Sequence, residues 1–318
     1  MDGSVPAPPL PARRPVRLIA LMNQKGGVGK TTTTVNLAAA FARAGRSTLV
    51  VDLDPQAHAS IALGLDPSSL SVTLYDLLMD PAASATLALA PTGVPELFVL
   101  PAHTDLAACE TELAQAADRL RRLERVLAGL QGRFEFVLID CPPSLGVLTL
   151  NALAAAREVL VPMQAHFLAL QGVGKLLETV RLVSTGPGAI NPRLRVAGVV
   201  LCNHDNASTH TREVVADLDA FFETARQAAA DTPWRSARVF RPAIRRNIKL
   251  AEAPSFGKTI FEYAPQASGA EDYRALGEVF LRDWDAYLAR LQSAAKPETR
   301  PETPEVTIAR PAPDAANA

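Results

Sequence analysis

Cysteine is scarce in this sequence, neither sign of charge is in excess, and no apolar run is long enough to cross a bilayer. The three cysteines, Cys109, Cys141 and Cys202, are odd in number and far apart. They lack metal-ligand spacing, which argues against both a disulfide framework and a closed metal site and favours a reducing compartment. Lys and Arg (32) nearly cancel Asp and Glu (33), so any contact with nucleic acid or membrane has to come from a local patch. The opening stretch MDGSVPAPPLPARRPVR holds no apolar signal-peptide core, and no later run reaches the roughly 18 apolar residues of a membrane span. A cytoplasmic protein is the expectation.

What is present is enough apolar material for a core: 48% of 318 residues, room for one large domain or two ordinary ones. Residues 1–15 and 293–318 are rich in Pro, with Ala, and show no periodicity that could bury a face, so both read as disordered tails. Between them short apolar runs, at 16–22, 47–52, 97–102, 134–140, 158–163 and 194–203, alternate with helical patterns at 30–44, 105–130, 147–156, 170–184, 209–229 and 271–292. Continuous apolar strands alternating with helices predict an α/β fold, a mostly parallel twisted sheet with helices on both faces. No interior linker divides residues 16–292, which predicts a single domain.

The stretch KGGVGKT, residues 25–31, follows the first predicted strand and opens a helix. Gly26, Gly27 and Gly29 allow backbone N–H groups to curl around phosphate oxygens, and the helix N-terminus adds its positive end. Lys30 has the reach for β and γ phosphates and Thr31 a hydroxyl for Mg²⁺; Val28 and Thr32 complete the binding stretch. Lys25 is a second lysine at the start of the loop. A cation about 4 Å from a phosphate charge is worth roughly 4 kcal/mol at an effective dielectric near 20, so Lys25 is also expected to address phosphate, the alternative being a solvated surface lysine. Asp52 and Asp54, in LVVDLDPQ, stand two residues apart at the end of the second predicted strand, where an extended chain projects both to one side and where open α/β sheets place ligands. Asp140 ends the apolar strand FEFVLID.

KGGVGKTT resembles the deviant Walker A motif of the ParA/MinD group of P-loop ATPases. The resemblance to ParA/Soj-type partition ATPases runs from about residue 16 to residue 290. It is carried by NQKGGVGKTTTTVNLA, VDLDPQA, YDLLMD, FVLIDCPPSLGVLTLNAL, LVPMQAHFLALQGVGKLLETVRLV and RRNIKLAEAPSFGKTI. It implies ATP and Mg²⁺ as ligands and ATP hydrolysis as the reaction. Lys25 would reach across a two-fold interface to the partner subunit's nucleotide, making ATP binding depend on homodimerisation. Asp54 would orient or activate the attacking water, Asp52 would lie near the Mg²⁺ shell, and Asp140 would hold a metal-bound water as the Walker B carboxylate. DCPPS, residues 140–144, matches the switch segment that senses the γ-phosphate. Cys141 within it lacks a base or resolving cysteine and reads as a small buried residue.

Six cations, Arg235, Arg238, Arg241, Arg245, Arg246 and Lys249, fall within residues 234–249. Taken alone the stretch fits either a solvated basic face or a sequence-neutral phosphate contact. The resemblance implies the second: an ATP-bound dimer binding double-stranded DNA non-specifically through Arg245, Arg246 and Lys249, released when a ParB-like partner stimulates hydrolysis, and hence nucleoid-associated. The chain departs from the family at three places. Ala207 stands where an Arg commonly contributes to DNA binding, Arg245-Arg246-Asn247 replaces Pro-Arg-Asn, and Ala57-His58 replaces Gly-Asn. His58 reads as a surface or capping histidine. Other readings within the resemblance are a MinD-like membrane-cycling ATPase, an iron–sulfur carrier and a small-molecule ligase. The first needs a terminal basic amphipathic helix where this chain has a Pro-rich tail, and the second needs closely placed cysteines.

Overall fold

The computed structural model describes residues 15–205 and 208–294. The expected tails therefore lie outside the described residues almost entirely, as does Ala207; Ser293 and Ala294, assigned to the tail by composition, belong to the last helix. Eight strands appear in chain order: β1 (Arg17–Leu21), β2 (Thr48–Asp52), β3 (Ala90–Pro91), β4 (Leu97–Leu100), β5 (Phe136–Asp140), β6 (Glu158–Met163), β7 (Arg195–Leu201) and β8 (Arg238–Val239). They form one sheet in the order β3-β4-β2-β5-β1-β6-β7-β8. Every neighbouring pair is parallel except β3 with β4. The helices are α1 (Lys30–Arg43), α2 (His58–Ala62), α3 (Leu74–Met79), α4 (Cys109–Glu112), α5 (Arg122–Ala128), α6 (Val147–Ala155), α7 (Phe167–Ser184), α8 (Thr209–Gln227), α9 (Ile248–Glu252), α10 (Ile260–Tyr263) and α11 (Ser268–Ala294).

Both faces of the central strands are buried, which is why these strands read as unbroken apolar runs. Ile19, Leu21, Val50, Phe136, Leu138 and Leu160 pack with α1, α10 and α11. Their in-strand neighbours Ala20, Val51, Val137, Ile139 and Val159 pack with α3, α5, α6, α7 and α8. The single-domain α/β expectation holds. No helix among the described residues is long and apolar enough to cross a membrane.

Two expectations change. The helix predicted over 105–130 is broken into a 3-10 turn (Thr104–Ala108), α4 and α5. The buried Asn151 on α6 explains the break: its amide donates to Arg119 O at 2.7 Å and its Oδ1 accepts from Leu123 N–H at 3.1 Å. Those backbone groups are thereby drawn out of any continuous helix. The edge strands β3 and β8 are two residues each, too short to leave a sequence pattern.

Candidate functional site

β1 lies in the middle of the sheet, and its C-terminal end delivers the chain into the glycine-rich loop. Gly27 (φ 70°) and Gly29 (φ 95°) take left-handed backbone conformations that favour glycine. At Gly29 a Cβ would also come 3.1 Å from Cys202 Cβ. The loop is held from beside it: Asn23 Nδ2 donates to Pro162 O (2.9 Å) and Gln164 Nε2 to Gly27 O (3.1 Å). Gly29 is the N-cap of α1, a 14-residue helix with no acidic residue in its first turn, so its free N–H groups and positive end face the loop uncompensated.

The two lysines are placed differently. Lys30 is buried, its Nζ 3.2 Å from Lys25 O. Burial pushes its pKa down, against the pull of Asp140, Asp54 and Cys141. Lys25 is exposed at the rim, and its Nζ meets His166 Nε2 at 2.8 Å.

Asp140 is fully buried and accepts from Thr31 Oγ1 (2.7 Å) and Thr34 Oγ1 (2.9 Å). Burial raises its pKa to about 6, with Asp54 adding to the rise and the two hydroxyls and Lys30 opposing it. Asp52 stands beside it in register across β2 and β5 and is pushed to about 7, by burial first and then by Asp140.

The expectation that Asp52 and Asp54 project together from an extended chain is corrected here. Asp52 Oδ2 accepts from the N–H and Oγ of Ser60 (2.8 and 2.7 Å), and Oδ1 from Asp54 N–H (3.3 Å). The chain turns immediately after β2. Asp54, half-buried, bonds the Gln56 N–H through Oδ1 (3.0 Å) and acts electrostatically on Lys30 and Asp140. Asp52 thus anchors the start of α2, while Asp54 and Asp140 face the loop lysine.

This donor set suits Mg²⁺. It consists of a hydroxyl and carboxylates, hard oxygen donors, with buried negative charge in need of a cation. Among the described residues no group of three or more His, Cys, Asp or Glu forms a metal cage. A divalent ion here would complete its shell with phosphate oxygens and water, the usual habit of Mg²⁺.

A cavity of about 260 Å³ adjoins the loop, lined among others by Gly27, Gln164, Asn203, Arg245, Asn247 and Tyr273. A larger cleft, about 720 Å³, lies at the opposite end of the strands between Arg17, Arg157, Arg195 and Trp284. The smaller one is assigned to the site, because it is lined by the loop residues Gly27, Val28 and Gly29 and by Thr32 at the start of α1, beside the buried Lys30 and Asp140. Thr34, Ser60, Gln164 and His166 were not singled out by motif spacing. Each is recruited from a position whose proximity exists only after folding.

The six cations of residues 234–249 do not form one free patch. Arg245 is clamped by Asp272 (2.8 Å) and Glu271 (2.9 Å), side-chain hydrogen bonds that push its pKa up. Arg241 pairs with Asp219 (2.8 Å), Lys249 with Glu252 (2.8 Å), and Arg238 with Asp283. Arg235 and Arg246 are exposed, with no side-chain partner among the described residues. His58 is exposed at the start of α2, and Cys141 is buried, both as expected.

A family profile described as AAA domain matches residues 16–196. The chromosome partitioning protein ParA of Myxococcus xanthus is 41% identical over 268 residues, covering 84% of this chain and 89% of that one. The chromosome-partitioning ATPase Soj of Thermus thermophilus is 43% identical over 282 residues, 89% of this chain and 99% of that one. Among solved structures, cobyrinic acid a,c-diamide synthase from Mycobacterium smegmatis with bound ADP and magnesium aligns with a TM-score of 0.69 at 38% identity, over 85% of this chain and 96% of that one.

Proposed function

Because the chain belongs to the ParA/Soj family of chromosome-partitioning ATPases, we propose that it is a partition ATPase whose Lys25–Thr32 loop closes on ATP and magnesium and whose ATP state is a homodimer. The observation that carries this reading is the division of labour between the two lysines. Lys30 is buried inside the loop, which suits it to the phosphates of its own nucleotide, and Lys25 is exposed on the rim, which suits it to a nucleotide in a facing subunit.

In the assembled site Gly26, Gly27, Val28 and Gly29 cradle the phosphate chain with their N–H groups, Lys30 neutralises it, and Thr31 and Thr32 border it. Thr31 would be the direct metal ligand. Asp140, already bonded to that hydroxyl, would hold the shell from outside, and Asp52 adds buried negative charge beside it on the neighbouring strand. Magnesium supplies charge neutralisation between the phosphates. Asp54 orients the water that attacks the γ-phosphorus, and Lys25 of the partner subunit stabilises the charge that develops there.

The ATP dimer binds double-stranded DNA without sequence preference, with Arg246 the leading contact because, among the described residues, its guanidinium pairs with no carboxylate. Arg245 and Lys249 join only by giving up Asp272, Glu271 and Glu252. A ParB-like adaptor on a cargo stimulates hydrolysis and releases the dimer, so that the protein is cytoplasmic and nucleoid-associated only in its ATP state. The ATPase domain, expected over residues 16–292, is extended to residue 294, where α11 ends, and is flanked by the Pro-rich segments 1–15 and 295–318.

The test is binding of a fluorescent, sequence-neutral duplex across a salt series with ATP, ADP or no nucleotide. Salt-sensitive binding with ATP alone is expected, lost in Lys25→Ala and weakened in Arg246→Ala. Equal binding in all nucleotide states, or none in any, overturns the reading.

A further inference from the structure

The end of β6 and the segment that leads from it to α7 run beside the phosphate loop and contact it three times. Two of the contacts, Asn23 to Pro162 O and Gln164 to Gly27 O, join neutral amides to carbonyls and hold the loop's shape. The third joins the rim lysine to an imidazole: Lys25 Nζ and His166 Nε2 are 2.8 Å apart. An ammonium has only donors, so Nε2 has to be the acceptor, with the imidazole proton on Nδ1. Among the described residues Lys25 pairs with no carboxylate, and His166 is its side-chain partner.

We infer that His166 is the resting acceptor of Lys25, holding the ammonium at the rim of the loop in the monomer through a contact that dimer assembly has to break. The inference rests on the reading that Lys25 works on the partner subunit's nucleotide. A neutral imidazole is suited to the task. A carboxylate at this position would hold the lysine with charge and oppose its transfer more strongly. With no acceptor, the long side chain would sample all its rotamers.

The contact exists only while the imidazole is neutral. Burial, then Lys25 and then His210 in the first turn of α8, press the His166 pKa down; His210 in turn lies 3.9 Å from Glu213. The acceptor form therefore dominates at neutral pH. Protonation in mildly acidic solution would set two cations against each other and free the lysine.

The experiment is ATP-dependent dimerisation of the full chain by analytical ultracentrifugation from pH 5.5 to 8, for wild type, His166→Leu, His166→Gln and Lys25→Ala. Removing the acceptor in His166→Leu should tighten the dimer roughly two- to tenfold at pH 7.5, the worth of one exposed hydrogen bond. Wild type should approach that variant as pH falls. His166→Gln, which keeps an acceptor but cannot titrate, should restore the weaker dimer and flatten the difference with pH. A leucine variant matching wild type in affinity and pH profile, or a glutamine variant with the wild-type profile, overturns the inference. If Lys25→Ala dimerises as wild type does, the underlying reading of Lys25 fails. If Lys25→Ala loses the dimer while both His166 variants match wild type, only the resting contact fails.

Discussion

Ala57 occupies the left-handed region (φ 54°, ψ 28°) as the N-cap of α2. A Cβ there costs about 1 kcal/mol, and glycine gives back part of that through a more disordered unfolded chain. Ala57→Gly should therefore raise stability by at most about 1 kcal/mol, seen as a higher midpoint in urea at an unchanged slope; a lower midpoint would show that the cap is not strained. Lys30 sits deeper, and its ammonium is the loop's one buried cation. Lys30→Gln should abolish nucleotide binding in equilibrium titration while leaving the far-ultraviolet circular dichroism unchanged. Glycines, lysines and aspartates of this site were legible in sequence because their spacing is local. His166 and Ser60 were not: the partner of His166 is set by strand order, and that of Ser60 by the bend of the chain after β2.

At the scale of elements, the junction between the switch segment and α6 has a cap supplied from elsewhere. Gly146 precedes α6 and has no side chain to cap it, and Glu110 of α4 fills the role, accepting from Val147 N–H at 2.8 Å and Leu148 N–H at 3.3 Å. A Cβ on Gly146 would lie 2.2 Å from that carboxylate, so a larger residue there would displace the Glu110 side chain from the cap. Charge at a helix N-terminus and a lost cap are each worth about 1 kcal/mol. Glu110→Ala should cost about 1–2 kcal/mol in urea denaturation, with Glu110→Gln losing less because an acceptor remains. Equal stability of all three proteins would remove Glu110 from this role. The same region is where periodicity misled: an apolar pattern over 105–130 reads as one helix, yet Asn151 diverts its backbone in the middle.

The whole molecule is tied together at Arg17, a buried cation on β1. Its guanidinium donates to Glu158 on β6 (2.8 Å) and to Phe280 O on α11 (2.8 Å) and lies over the Phe280 ring. Removing one partner of such a pair leaves the other unmatched. Arg17→Met should cost about 3 kcal/mol and lower the thermal midpoint, whereas an unchanged midpoint would mean that Glu158 finds water at no expense. The site couples to the same global stability. Ligand that binds only the folded chain adds about 2.7 kcal/mol at a hundred times its Kd, so Mg–ATP should raise the midpoint. ATP with a chelator should raise it less, since Asp140 and Asp54 then face the phosphates without a cation. Equal shifts with and without the metal would argue against the oxygen donor set assigned here.

From the sequence alone came the alternation of buried strands and helices, the phosphate loop at the first strand's end and the carboxylates that close β2 and β5. All of these are written in contiguous residues, because periodicity and turn chemistry act over a few positions. The tertiary structure alone decided which charges are free. Arg245 and Lys249 look as available as Arg246 in a string of letters, and only packing brings Asp272 and Glu271 onto the first and turns Glu252 toward the second. It also decided that Asp52 faces Ser60, because the chain bends after β2, and that Lys25 rests on His166, because β6 lies next to β1. Electrostatic partners are chosen by distance in space, and the strand order that sets those distances is a property of the whole sheet.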